Sequence, residues 1–215
     1  SGKSTVARCI ARLIDPSEGT VLLDGENIAF LPEADLRKHR RHVQVIFQDP
    51  FRSLNPRRTV GQSIIEGPTN FGLSESEATA RARELMGLVG LSPDALSRYP
   101  HQFSGGQRQR ISIARALAMQ PHVLIADEAV SALDVSVQAQ VLELLDQVRK
   151  QFDLALLFIT HDLRVAAQIC DRIMVMQKGE VVEEGPTREI FKNPQHSYTK
   201  ALFDAAPGHD FALSH

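Results

Sequence analysis

Two stretches of this sequence carry residues whose types and spacing suit phosphate chemistry: Ser104-Gly105-Gly106-Gln107-Arg108-Gln109-Arg110 and Val123-Leu124-Ile125-Ala126-Asp127-Glu128. Ser104 stands where a helix N-cap belongs. The two glycines after it carry no Cβ, so backbone N–H groups can come within hydrogen-bonding distance of an anion such as phosphate. The second stretch is an apolar run that delivers two consecutive carboxylates to a strand's carboxyl end, where open parallel sheets bind ligands. Asp127 is expected to hold Mg²⁺, directly or through water, and Glu128 to orient and deprotonate an attacking water. A third stretch, Ser1-Gly2-Lys3-Ser4-Thr5, reads as the end of the phosphate-loop pattern G-x-x-x-x-G-K-S/T. Lys3 is then expected to reach the β- and γ-phosphates, and Ser4 to bind Mg²⁺ while the amides of the following helix face the phosphates. The pattern's first four positions, and the strand that should precede them, are missing, so the sequence reads as a fragment.

These residues need a scaffold, and the hydrophobic pattern outlines one. Ile111, Ala114, Leu117 and Ala118 recur at helical spacing after Ser104, and Gln120-Pro121 stops that helix. Val6 to Ile14 reads as the helix behind the phosphate loop. Thr20 to Leu23 and Ile28 to Leu31 read as strands flanking an Asp24-Gly25-Glu26-Asn27 turn. Val43 to Phe47 is a short buried strand with Gln48-Asp49-Pro50 at its carboxyl end. Between Gly61 and Tyr99 the pattern turns helical: Ser74-Glu75-Ser76-Glu77 forms a capping box, and Ala78, Ala82, Leu85, Met86 and Val89 form an apolar stripe. Val137, Val141, Leu144, Leu145 and Val148 mark an amphipathic helix, and Leu154 to Ile159 a further buried strand. Strand, helix, strand implies a right-handed parallel crossover. His161 therefore falls on the same sheet edge as Asp127 and Glu128. Arg172 to Met176 and Glu180 to Glu183 read as a hairpin around Lys178-Gly179.

Composition narrows the classes. At 215 residues, 43% hydrophobic and 23% charged, the chain can bury a core as one globular domain. A net charge of −2 supplies no global field for nucleic acid, and the run Arg37-Lys38-His39-Arg40-Arg41-His42 reads as the solvated end of a short helix. Cys9 and Cys170 are too few for a disulfide framework or a four-thiolate metal site. No apolar run reaches the roughly 18 residues of a membrane span and no signal peptide is visible, so membrane association is expected through another protein.

The motifs together resemble those of ABC-type ATPases. Phe103 to Arg110 resembles the signature motif, Val123 to Glu128 the Walker B motif, and Ser131-Ala132-Leu133-Asp134 the D-loop, in the family's order. Gln48-Asp49-Pro50 matches the Q-loop and His161 the switch histidine. The family usually has Leu where this chain has Phe103, and Pro-Thr where it has Ala129-Val130; neither departure removes a group that does chemistry. Asn193 to Leu202 resembles the C-terminal segment of the oligopeptide, dipeptide and glutathione importer branch, which usually has Pro at the position of Ser197. Asp134 to Gln140 is also typical of that branch.

The resemblance covers the whole chain and implies an α/β P-loop NTPase: a mostly parallel sheet with helices on both faces, an antiparallel edge and an inserted helical subdomain. Residues 1–215 would form a single domain, with the helical subdomain at about 51–103 and an importer-type tail at about 186–215. Ser1, Gly2, Lys3, Ser4 and Thr5 would hold ATP. Gln48 would sense Mg²⁺ and the γ-phosphate alongside Ser4 and Asp127, and His161 would contact the γ-phosphate. Ser104, Gly105, Gly106, Gln107 and Asp134 would serve a partner's ATP across a head-to-tail dimer, with Asp134 bridging the two sites.

The implied function is ATP hydrolysis driving uptake of peptides or similar small solutes. Its partners would be a second ABC ATPase subunit, identical or paralogous, integral-membrane permease subunits reached through Phe51 to Pro56, and indirectly an external solute-binding protein. Nucleic acid is not expected as a partner. The place implied is peripheral, on the cytoplasmic face of the inner membrane. Two alternatives stand beside it. One is a soluble ABC ATPase acting on ribosome or DNA, which would typically need two such domains, a coiled-coil insert or a basic arm. The other is an inactive, truncated remnant that binds ATP poorly.

Overall fold

In the computed structural model, which describes residues 2–206, Gly2 adopts a left-handed φ of 89° and turns the chain into α1 (Lys3–Ile10). This helix starts three residues before Val6 and stops short of Ile14. Arg12 ends it: at a φ of 54° it leaves helical space, and its guanidinium donates to the carbonyls of Ile28 at 2.5 Å and Leu31 at 3.3 Å. The Ile28 carbonyl also accepts from the Leu31 N–H at 3.5 Å, so Ile28 to Leu31 closes a turn and is not the strand that its composition suggests. The hairpin is instead β1 (Leu22–Leu23) and β2 (Glu26–Asn27) around Asp24 and Gly25, at φ 49° and 84°. A two-residue turn with both φ angles positive matches the strand twist of a tight hairpin.

Next come α2 (Glu33–Arg40) and β3 (Val43–Ile46). The basic run is largely paired rather than bare: Arg40 meets Glu33 at 2.8 Å, and Lys38 and His39 face Glu26 at 3.7 and 3.2 Å. From Pro50 to Gln102 the chain is helical: α3 (Pro50–Ser53), α4 (Val60–Asn70), α5 (Glu75–Leu88) and short 3₁₀ turns at Pro93–Ser97 and Pro100–Gln102. Thr59 with Gln62, and Ser74 with Glu77, close reciprocal capping boxes on α4 and α5. Then follow α6 (Gly105–Ala118), β4 (Val123–Asp127), α7 (Val135–Gln151), β5 (Ala155–Ile159), α8 (Leu163–Ile169), β6 (Arg172–Gln177), β7 (Glu180–Pro186), α9 (Thr187–Lys192) and α10 (Ser197–Ala205).

The central sheet has the order β3-β4-β5, parallel throughout, with Val43 opposite Val123 and Val123 opposite Ala155. Alternation along β4 assigns its faces. Leu124 and Ala126 join the core built by α4, α5, α6 and α7, whereas Ile125 packs with Ile159 against Ala7 and Ile10 of α1. Helices thus cover both faces, as a parallel sheet requires. Among the described residues the antiparallel pairs β1-β2 and β6-β7 are separate two-stranded sheets and not hydrogen-bonded edges of the central one. Leu23, Ile28 and Leu36 dock the first pair through side chains onto Val43 and Val123.

The tail returns to β7. The Glu183 carboxylate accepts from the N–H groups of Gln195 at 2.7 Å and His196 at 3.1 Å, while Phe191 and Phe203 stack at 4.7 Å. Ser197 is the first residue of α10, the position at which a helix best tolerates proline. The part of the expected tail from 207 to 215 lies outside the described residues.

Candidate functional site

Parallel pairing brings the carboxyl ends of β3, β4 and β5 side by side, and α1 starts at the same edge. Ser4, in the first turn of α1, donates its hydroxyl to Asp127 Oδ1 at 2.9 Å. Asp127 is the last residue of β4 and 7% exposed. Glu128 comes next with a φ of 54°, a left-handed conformation uncommon for a non-glycine residue and typical of strained functional positions. Its N–H is fixed by the Ile159 carbonyl at 2.9 Å, and the Ser131 hydroxyl donates to the Glu128 carbonyl at 2.9 Å. The backbone is thus held at both ends while the side chain, largely buried, faces the cavity.

Ser4, Gln48, Asp127 and Glu128 line one open cavity of about 680 Å³ together with Arg8 and Arg115. Arg8 was not singled out by motif, although its place one helical turn after Ser4 puts it on the same face. His161 reaches the cluster from the end of β5. Its Nδ1 lies 3.0 and 3.1 Å from the two Glu128 carboxylate oxygens, and Nδ1 is thus the nitrogen placed to donate. The histidine side chain is 72% exposed, so this contact is weakly held and readily remade. Lys3 and His161 share the lining of a second, largely apolar cavity of about 1020 Å³ between α1, β5, α8 and β6. For the neighbouring Asp162, burial alone would raise the carboxyl pKa, but hydrogen bonds from the Arg164 side chain and N–H hold it below the ordinary range. Thr5 is exposed on α1, and Ser1 lies outside the described residues.

The site's donors are a hydroxyl, a carboxylate and a side-chain amide, all hard oxygens that suit Mg²⁺. Among the described residues no group of three or more His, Cys, Asp and Glu could hold a metal.

The second motif cluster stands apart. The Ser104 hydroxyl accepts from the Gln107 N–H at 3.2 Å while the Gln107 amide oxygen accepts from the Ser104 N–H at 2.9 Å, a reciprocal capping box on α6. A Cβ on Gly106 would fall 2.4 Å from Val137 Cγ1, so this glycine is required by the contact between α6 and α7. That reason is separate from the expected approach to an anion. A Cβ on Gly105 would make only an ordinary contact with Leu133, at 3.9 Å. Asp134 caps α7, accepting from the Val137 N–H at 3.1 Å. Ser104, Gly105, Gly106, Gln107 and Asp134 line neither of the two cavities.

Motif reasoning passed over two side chains of α6. Arg108 donates to the Pro100 carbonyl at 2.7 Å and lies 3.6 Å above the Phe51 ring. Gln109 is buried and donates to the carbonyls of Phe47 and Ala129. The one sequence signal for Gln109 is its register, four residues before the buried Ile113. Phe103, Ala129 and Val130 are each buried, so the departures from the family pattern are apolar packing.

Residues 1–131 match the family model described as ABC transporter. The chain belongs to the ABC transporter family. A second model, the C-terminal region of oligopeptide/dipeptide transporters, matches residues 182–214. Among similar ABC transporter proteins, one from Brucella ovis, named as a peptide import ATP-binding protein, is 47% identical over 211 residues, covering 98% of this chain and 67% of its own length. The glutathione import ATP-binding protein GsiA of Salmonella choleraesuis is 50% identical over 208 residues, covering 96% of this chain and 33% of GsiA. Among solved structures, cbiO1 from Clostridium perfringens, part of the ABC transporter complex cbiONQ, aligns with a TM-score of 0.80 at 30% identity, over 89% of this chain and 75% of that one. The ATP-binding cassette MJ0796, a dimer in a post-hydrolysis state with ADP and Pi, aligns with a TM-score of 0.76 at 33% identity, over 87% and 81% of the two chains. The fold is that of an ABC ATPase.

Proposed function

We propose that this chain is the ATP-binding subunit of an ABC importer, hydrolysing Mg²⁺–ATP to drive uptake of peptides or similar small solutes through a membrane permease. The observation that carries the hydrolytic reading is the Ser4 to Asp127 hydrogen bond with Glu128 beside it in one cavity. Ser4, Asp127 and Gln48 would hold Mg²⁺, which when bound would neutralise phosphate charge. Lys3 and the N-terminal amides of α1 would bind the phosphates. Glu128, its backbone pinned, would take a proton from the attacking water. His161 would orient the Glu128 carboxylate and turn toward the γ-phosphate.

Ser104, Gly105, Gly106 and Gln107 would reach the nucleotide of a second ABC subunit, since they stand outside the cavity that Ser4, Asp127 and Glu128 line. Closure around ATP and reopening after hydrolysis would then be passed through the segment after Gln48 to the permease. An external solute-binding protein would supply the cargo. The names of the relatives and the match at residues 182–214 support peptides or glutathione-like solutes as that cargo. No helix among the described residues is long and apolar enough to cross a membrane, so the permease would hold the subunit at the cytoplasmic face of the inner membrane. The test is peptide uptake by vesicles containing the full chain with its co-purifying permease. ATP-driven accumulation that Glu128→Gln abolishes is expected, and peptide-independent vesicles that release no phosphate from ATP would refute the assignment.

A further inference from the structure

One side chain of α6 reaches the exits of two strands without lining the cavity between them. Gln109 is 1% exposed, and its Nε2 donates to the Phe47 carbonyl at 3.1 Å and the Ala129 carbonyl at 2.5 Å. Both acceptors are carbonyl oxygens, so only the NH₂ end of the amide can face them, and both of its protons are used. Phe47 immediately precedes Gln48, and Ala129 immediately follows Glu128. A single amide therefore ties the carboxyl-end exit of β3 to that of β4, from the helix that Ser104 caps. The other end of the same amide, Oε1, is buried and has no hydrogen-bond partner among the described residues. An unpaired buried acceptor is unfavourable, and such a group in a native fold calls for an explanation beyond packing.

We infer that Gln109 is a positioning residue for hydrolysis: it sets the spacing between Gln48 and Glu128 and passes a movement of α6 to both. The inference rests on the hydrolytic role proposed for Glu128. Gln109 is buried and does not line the cavity, so its loss should change how the reacting groups are placed and leave ATP binding alone. Two carbonyls would be released together, one beside each group. The signature helix would still be present but no longer coupled to the cavity.

The experiment uses Gln109→Met in the full chain, a swap that keeps length and burial but cannot donate. Misplacing reacting groups by about 1 Å costs on the order of 10²-fold, so kcat is expected to fall about 10–100-fold. KM for ATP should stay within about twofold, the pattern of an interaction used in the transition state. In a Glu128→Gln background, Gln109→Met should add no further loss, because both changes act on one step. Amide hydrogen exchange supplies a readout free of hydrolysis: Asp49 and Ser131 should exchange faster while 111–117 in α6 stays protected.

An unchanged kcat, or a loss additive with Glu128→Gln and matched by a drop in Tm, would overturn the inference. Unchanged exchange at both segments would do the same. If Gln109→Met does not fold, Gln109→Asn, which can reach only one carbonyl, is read by the same measurements. A wild-type chain that releases no phosphate sinks the proposed hydrolysis, and the exchange result still decides whether Gln109 holds the two strand exits together.

Discussion

Asp127 and Glu128 are adjacent in sequence but meet different surroundings, and they should fail differently when changed. Asp127 is buried and bonded to Ser4, whereas Glu128 turns toward His161. Glu128→Gln keeps size and hydrogen bonding but cannot accept a proton, so phosphate release should fall roughly 10²–10⁴-fold with ATP still bound. A closed, ATP-loaded dimer should then accumulate on size-exclusion chromatography. Asp127→Asn removes charge from the metal shell and should weaken Mg²⁺–ATP binding itself, measured by titration calorimetry, with no such dimer. Equal behaviour of the two variants would leave the pair as a metal site only. At this scale the motifs named Ser4, Gln48, Asp127 and Glu128, which the fold brings into one cavity because an apolar run ending in carboxylates marks a strand's carboxyl end, whereas Ser104 to Gln107 and Asp134 stand outside it. The sequence was silent on the left-handed backbone of Glu128 and on Gln109, since both depend on neighbours dozens of residues away.

Between α6 and α7 the decisive atom is one that is absent. Gly106→Ala would push a methyl group to 2.4 Å from Val137 Cγ1, and overpacking of this kind typically costs about 1–3 kcal/mol. Urea unfolding should show that loss, and Val137→Ala in the same chain should recover most of it. The contact of α10 with β7 is instead governed by charge. Burial alone would raise the Glu183 pKa, but hydrogen bonds from the Gln195 and His196 N–H groups outweigh it and hold the group below its ordinary value of 4.5. A carboxyl whose pKa is depressed on folding stabilises the fold above the unfolded value and loses that contribution as pH falls through the folded one. Proteolysis of α10 should therefore accelerate as pH drops below about 4.5, and Glu183→Gln should flatten that dependence. Element types were readable from periodicity, as Val137 to Val148 and Ala78 to Val89 illustrate. Boundaries were not: α1 is confined to Lys3–Ile10 between the left-handed backbones of Gly2 and Arg12, and Ile28 to Leu31 closes a turn on the Ile28 carbonyl that Arg12 also holds.

For the whole molecule, the phosphate-side residues and the cap of α6 stand at separate places, so a complete site is expected to need two subunits. Ser104→Arg should leave ATP binding by the same chain nearly intact while abolishing phosphate release. Lys3→Ala should lose binding. Mixing the two should restore part of the activity, because a mixed dimer keeps one composite site in which Lys3 of one chain meets Ser104 of the other. A fully active Ser104→Arg homodimer would exclude that arrangement. The left-handed backbone at Glu128 carries an energetic consequence. Holding a non-glycine residue there costs about 1–2 kcal/mol, a sizeable share of the roughly 5–15 kcal/mol that keeps a domain folded. Glu128→Gly should therefore resist urea better than the parent chain by about that amount while phosphate release falls, so that stability and hydrolysis pull this one position in opposite directions.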